Sequence, residues 1–198
     1  MENQNFTQAD TPTTTMKLAS LEILSLNKAK LFSQEECNML SEGCLDDLWL
    51  SSRVVGDDNL HKSRRQKLRG EPDGFPFMNI REITKQANDQ IYDFKLLGII
   101  DQDFPQIYSY REGDYYDYHL DISPMATTRK LSFIVNLSDP KTYEGGEIEF
   151  LNTDTSESNL NEQGSILIFP SFLPYKIGKV TRGEKRIIVG CIHGAVFR

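Results

Sequence analysis

Cysteine is too scarce and too unevenly placed to brace this chain. Cys37, Cys44 and Cys191 are odd in number and fit neither a disulfide framework nor a paired C-x2-C zinc site, so reduced thiols are the simpler reading. Long apolar runs are missing as well: none reaches the length needed to cross a bilayer, and the opening segment MENQNFTQADTPTTT lacks the apolar core of a signal peptide. These absences lead one to expect a soluble, cytoplasmic protein with no membrane partner. Excess positive charge is also lacking, with 22 Lys and Arg against 29 Asp and Glu, a net charge of −7. No broad attraction to nucleic acid follows from such a balance, and a polyanion-binding patch would have to be local.

What the chain does have is enough apolar and aromatic content, 38% and 10% over 198 residues, to build one sizeable core. Residues 1–16 are polar, contain Pro12 and read as a mobile tail; 17–198 read as a single domain. LASLEILSL is a candidate first strand. Ser33, followed by Glu35 and Glu36, marks a helix start, and the helix would run to about Leu48 and bury Cys37, Leu40 and Cys44. Residues 56–72, which carry HKSRRQKLRG, show no apolar periodicity and read as a charged surface loop or lid, with His61 exposed. From Met78 to about Leu96, Ile80, Ile83, Ala87, Ile91 and Phe94 recur at spacings of three and four, the pattern of an amphipathic helix.

After Phe104 the period changes. IYSY, KLSFIVNL, GEIEFL, SILIFP and KRIIVGCI are rich in β-branched and aromatic residues and are separated by turn formers. The pattern predicts helical support over about 17–100 and a closed or two-sheet antiparallel architecture over about 104–198, with residues 152–164 as a connecting loop.

His119 and Asp121 are two apart, so on a strand both side chains leave one face and converge on one ion. A neutral imidazole and a carboxylate are two of the three ligands of the facial triad of non-haem Fe(II) oxygenases. On its own H-x-D is a weak signal. The surrounding blocks are more specific: Y-x2-G-x2-Y-x2-H-x-D, RKLSFIVNLSDP, YEGGEIEF, GSILIFPS and VTRGEKR followed by HGAVFR. From about Ala87 to Arg198 the chain resembles the Fe(II)/2-oxoglutarate dioxygenases of the prolyl 4-hydroxylase type, and among them the bacterial PKHD-type hydroxylases. The resemblance implies a double-stranded β-helix, or jelly roll, whose mouth holds Fe(II) and 2-oxoglutarate, with ascorbate as a further cofactor that the class allows. It also implies hydroxylation of an aliphatic carbon in a peptide, protein or small-molecule substrate, with succinate and CO2 as coproducts.

Carried over by position, Tyr110 matches the tyrosine that contacts 2-oxoglutarate and Lys185 the basic residue that binds its far carboxylate. Arg186 adjoins Lys185 and faces the other way on a strand, so only one of the two points inward; family position favours Lys185. The Gly145-Gly146 pair reads as a turn, and a close backbone approach at the site is the alternative. Arg129 reads as a structural ion pair or as a residue facing the substrate opening, and His193 as a structural histidine. The departure is Tyr175, ten positions before Lys185, where the family has its last iron-binding histidine. A phenol must lose its proton to become a good ligand, and phenolate favours Fe(III). Two readings therefore stand: an oxygenase whose iron is held by His119, Asp121 and a third donor, Tyr175 or water, and a catalytically impaired barrel kept as a binding module.

Overall fold

A computed structural model describes residues 30–52, 59–151 and 161–196. The expected tail, the candidate strand LASLEILSL and most of the 152–164 connector lie outside these residues. The described chain begins with helix α1 (Gln34–Glu42) and strands β1 (Leu50–Ser52) and β2 (His61–Lys67), and continues through α2 (Phe77–Ala87) and β3 (Leu96–Gly98). The rest is strand: β4 (Gln106–Arg111), β5 (Tyr115–His119), β6 (Arg129–Asn136), β7 (Tyr143–Gly145), β8 (Ile148–Phe150), β9 (Ile166–Pro170), β10 (Tyr175–Ile177) and β11 (Val180–Gly194).

These strands form one antiparallel sheet in the order β8-β10-β5-β2-β4-β11-β6-β9, with β1 on β2 and both β3 and β7 on β11. The sheet curls until its ends meet: Phe150 of β8 and Phe169 of β9, at opposite ends of the order, have ring centroids 4.9 Å apart. The result is the mainly β jelly roll with supporting helices that the sequence predicts. Similar folds are reported below.

Period-two alternation sorts the side chains. Outward-facing Leu131, Phe133, Val135, Ile166, Ile168, Ile188 and Ile192 form one core with Phe32, Cys37 and Leu40 from the α1 region and Phe77, Ile80 and Ala87 from α2. Inward-facing Ile134, Leu167, Phe169, Ile187, Tyr110 and Tyr175 form a second, inside the barrel. Burying each large apolar side chain contributes roughly 1.5–3 kcal/mol, so the helical layer is held mainly by this outer core.

Both predicted helices are shorter than expected. α1 ends at Gly43, which leaves Cys44 only half-buried. α2 gives way after Ala87 to a π turn over Asn88–Tyr92, closed by Asp93 at φ 52°. The larger correction concerns the charged segment 56–72: residues 61–67 are not a loop but a strand between β4 and β5, and His61 is buried. Its inward residues His61 and Ser63 are polar because they face a polar part of the barrel. A search for alternating apolar residues could not register it.

Ser33 caps α1 in a reciprocal box: the Glu36 backbone N–H donates to Ser33 Oγ at 3.2 Å, and the Ser33 N–H donates to the Glu36 carboxylate at 2.7 Å. Ser33→Ala is expected to lower stability by about 1 kcal/mol. Urea unfolding of the two proteins measures it.

Candidate functional site

His119 is the last residue of β5, and Asp121 lies just beyond the strand rather than within it. Asp121 is fixed by its backbone. Its N–H donates to the Ser171 carbonyl at 3.2 Å, and its carbonyl accepts from Arg129 Nη1 at 2.7 Å. Arg129 is itself anchored through two hydrogen bonds to Asp103, at 2.6 and 2.8 Å, and Asp103 also meets His193 Nε2 at 2.9 Å. His193 Nδ1 is engaged by Thr128 at 2.9 Å, so both ring nitrogens are committed away from the His119–Asp121 pair. Arg129 and His193 thus brace the loop that carries Asp121.

The tautomer of His119 follows from its surroundings. Nδ1 faces the Asp117 carbonyl at 2.9 Å, and a carbonyl only accepts, so the ring donates there and Nε2 keeps its lone pair. That Nε2 is shut off from solvent with no hydrogen-bond partner, 3.7 Å from Asp121 Oδ1. Burial pushes the His119 imidazole below its ordinary pKa, and the Asp121 carboxylate opposes the shift. A neutral imidazole nitrogen left bare beside a carboxylate is the donor pair that a divalent cation satisfies, so these two residues fit an iron ion.

Tyr175 completes the cluster in a different manner. It sits opposite His119 in the β10–β5 register, with ring centroids 4.3 Å apart, and its hydroxyl donates to both Asp121 oxygens at 3.3 and 3.4 Å. Burial, and then the Asp121 charge, hold the phenol well above its ordinary pKa. As placed, it is a neutral hydrogen-bond donor to the carboxylate. Among the described residues, no set of three or more His, Cys, Asp or Glu that could hold a metal ion is found.

Lys185 of β11 lies directly opposite Tyr110 of β4, and both are buried in the barrel. Lys185 Nζ donates to the Gly146 carbonyl at 2.5 Å and to Asn161 Oδ1 at 3.0 Å, both neutral acceptors. Burial lowers its pKa to about 7, a shift that Glu147 only partly opposes. Arg186 points to the outer face, where it pairs with Glu184 and lies over Trp49. Glycine is needed at 146: its φ is +70°, and a Cβ there would lie 3.0 Å from Lys185 Cδ. The Gly145-Gly146 pair therefore makes a turn and also leaves room for the lysine.

The sequence reading missed the role of His61. Its ring stacks on Tyr116 at 3.7 Å, and the other face of Tyr116 stacks on His119 at 3.4 Å. His61 Nε2 also meets Ser63 Oγ at 2.8 Å and the Tyr110 hydroxyl at 3.4 Å. One side chain therefore supports both His119 and Tyr110. The only signal in the sequence was the alternation His61-x-Ser63-x-Arg65 across from two tyrosine-rich strands.

Burial, with help from His119 and Arg65, lowers the His61 pKa from 6.5 to about 3. Between these values the unfolded chain binds the extra proton, so this contribution to stability is complete above pH 6.5 and is lost as pH falls toward about 3. His61→Phe keeps the stack and removes the titration. Thermal unfolding from pH 7 downward should therefore show a shallower loss for the variant than for the native chain, by on the order of a few kcal/mol.

Three comparisons bear on this geometry. The family model described as 2OG-Fe(II) oxygenase superfamily matches residues 105–193. A PKHD-type hydroxylase of Hyphomonas neptunium is 37% identical over 90 residues, which is 43% of this chain and 40% of the relative. The chain thus spans well under half the length of that relative. A Pseudomonas putida prolyl-4-hydroxylase superposes with a TM-score of 0.65 at 17% identity, over 84% of this chain and 90% of that one. A viral collagen prolyl hydroxylase from Paramecium bursaria Chlorella virus-1, solved as a 2OG complex, gives 0.62 at 17% identity over 84% and 93%. These two likenesses are of fold.

Proposed function

We propose that the protein is an Fe(II)- and 2-oxoglutarate-dependent hydroxylase of aliphatic C–H bonds, a reading supported by the match of residues 105–193 to the 2OG-Fe(II) oxygenase superfamily model and by the PKHD-type hydroxylase similar to it. Succinate and CO2 are its coproducts in this reading. The first substrate to test is a prolyl residue of a peptide or protein, by analogy with the prolyl hydroxylases of similar fold, and a small molecule is the alternative. The observation that carries the reading is the bare, buried Nε2 of His119 beside Asp121. Lys185 adds to it, a buried lysine that meets only neutral acceptors and has no carboxylate within ion-pair distance among the described residues.

His119 and Asp121 would hold the metal, with Tyr175 or water in the third place. Bound Fe(II) would activate O2, the oxidant, with oxidative decarboxylation of 2-oxoglutarate to succinate and CO2 supplying two electrons and taking one oxygen atom, the other going to the substrate carbon. The chain's own part is to bind and orient. Lys185 meets the far carboxylate of the cosubstrate. Tyr110, held neutral by burial, donates its hydroxyl to the same molecule. Tyr116 and His61 hold His119 in place and keep water from that side of the ring. Ascorbate would act as a reductant outside this cycle.

The Tyr175–Asp121 contact favours a second reading, a barrel that binds ligand without turnover, because the phenol hydrogen-bonds the carboxylate the metal needs. Anaerobic titration with Fe(II) and 2-oxoglutarate, followed by visible absorption, separates the two. A charge-transfer band is expected in the native chain and in Tyr175→His, and none in His119→Ala. A band confined to Tyr175→His would establish the binding-module reading instead.

Lys185 gives an independent test. Because its pKa lies at about 7, the cation is lost as pH rises above that value, and 2-oxoglutarate affinity should fall with it. Lys185→Arg, which stays charged, should bind with a flat pH profile over the same range in calorimetric titrations.

A further inference from the structure

The barrel holds a second cation without a counter-ion, and it is not needed for the cosubstrate. Arg65 is the third inward position of β2, after His61 and Ser63, and lies opposite Tyr108 of β4. It is half-buried, and its Nε is shut off from solvent with no hydrogen-bond partner. The neighbouring arginines each reach a carboxylate: Arg64, Arg111 and Arg186 share Glu184, and Arg129 pairs with Asp103, although Arg64 Nε, like Arg65 Nε, has no hydrogen-bond partner. Among the described residues, no carboxylate lies within ion-pair distance of Arg65. Its register partner Tyr108 lies 5.9 Å, ring to ring, from His61, which in turn stacks on Tyr116 at 3.7 Å, so this inner face is aromatic.

A guanidinium partly out of water, with aromatic walls and no anion, is costly unless something negative completes it. 2-Oxoglutarate has two carboxylates. On the reading above, one goes to the metal side and the other to Lys185, so neither is left for Arg65. Arg65 faces Tyr108, two residues along β4 from the Tyr110–Lys185 pair, which places it about 7 Å along the strand toward the end of the barrel where Asp103 and Arg129 hold the Asp121 loop. His61, four residues before Arg65 on the same inner face of β2, stacks on Tyr116, whose ring covers His119. A molecule held by Arg65 would therefore have its remaining atoms next to His119 and Asp121.

We propose that Arg65, with the Tyr108 hydroxyl beside it, is the subsite for a carboxylate carried by the substrate, so that the enzyme acts on a carbon close to an acid group. This rests on the oxygenase reading given above and names the substrate class within it. The planar fork of arginine suits bidentate capture of a carboxylate, and the tyrosine hydroxyl can add a third hydrogen bond. The acid is either the terminal carboxylate of a small molecule or an Asp or Glu side chain in a peptide.

The test uses the full chain loaded with Zn(II), a redox-silent stand-in for Fe(II), and saturated with 2-oxoglutarate. Two probe sets are followed by saturation-transfer NMR: free amino acids beside their carboxamides, and short prolyl peptides with Glu beside the same peptides with Gln. In one of the two sets an acid should bind about tenfold more tightly than its amide, and Arg65→Gln should abolish that preference. The set in which this happens identifies the source. Calorimetry should find the 2-oxoglutarate affinity of Arg65→Gln close to native and that of Lys185→Ala strongly reduced. The subsite is refuted if neither set prefers its acid, if Arg65→Gln keeps the preference, or if Arg65→Gln loses 2-oxoglutarate as Lys185→Ala does. A native chain that binds no 2-oxoglutarate would overturn the cosubstrate reading itself, and the subsite with it.

Discussion

The register of β11 against β4 is the constraint on which the rest of the site depends. β11 is fifteen residues long and pairs with β4, β6, β3 and β7, so it ties the barrel's inner wall to its outer one. In this register Lys185 meets Tyr110 inside, while Ile188 and Ile192 enter the helix-facing core outside. A slip of one residue would exchange the two sets, placing Arg186 in the barrel and Lys185 under the helices. The outer core, by holding Ile188 and Ile192, therefore also fixes which cation faces the barrel interior.

Much of this was legible in the sequence because apolar alternation is a strong signal. KLSFIVNL and SILIFP became β6 and β9 to within a residue, and KRIIVGCI became the C-terminal part of β11, which begins five residues earlier at Val180. Spacing also brought His119 and Asp121 together, although Asp121 reaches its place from a turn held by Ser171 and Arg129 rather than from the strand. The part that was not legible is polar. β2 carries no apolar stripe, since its inner face lines a site instead of a core, and so HKSRRQK looked like a solvated loop. Its burial arises from tertiary pairing with β4 and β5, which no local pattern encodes. The helix ends were misjudged for a related reason: Gly43 and the π turn at Asn88–Tyr92 interrupt a periodicity that the apolar residues continue beyond the helix.

Tyr175 sits at the boundary between the two readings of function. Its hydroxyl lies against Asp121, so a metal on that carboxylate would have to displace a neutral hydrogen bond or share it. The cost is modest beside that of leaving His119 Nε2 without a partner and the Lys185 cation with neutral acceptors alone.

The chain's single tryptophan, Trp49, lies on the outer face between two arginines, with Arg64 5.1 Å and Arg186 5.7 Å from its ring. Each of those arginines is the immediate chain neighbour of one of the two inward cations, Arg65 and Lys185. The outer partners of both inward cations thus converge on one indole, which makes Trp49 the natural optical probe of the β2 and β11 positions that carry them.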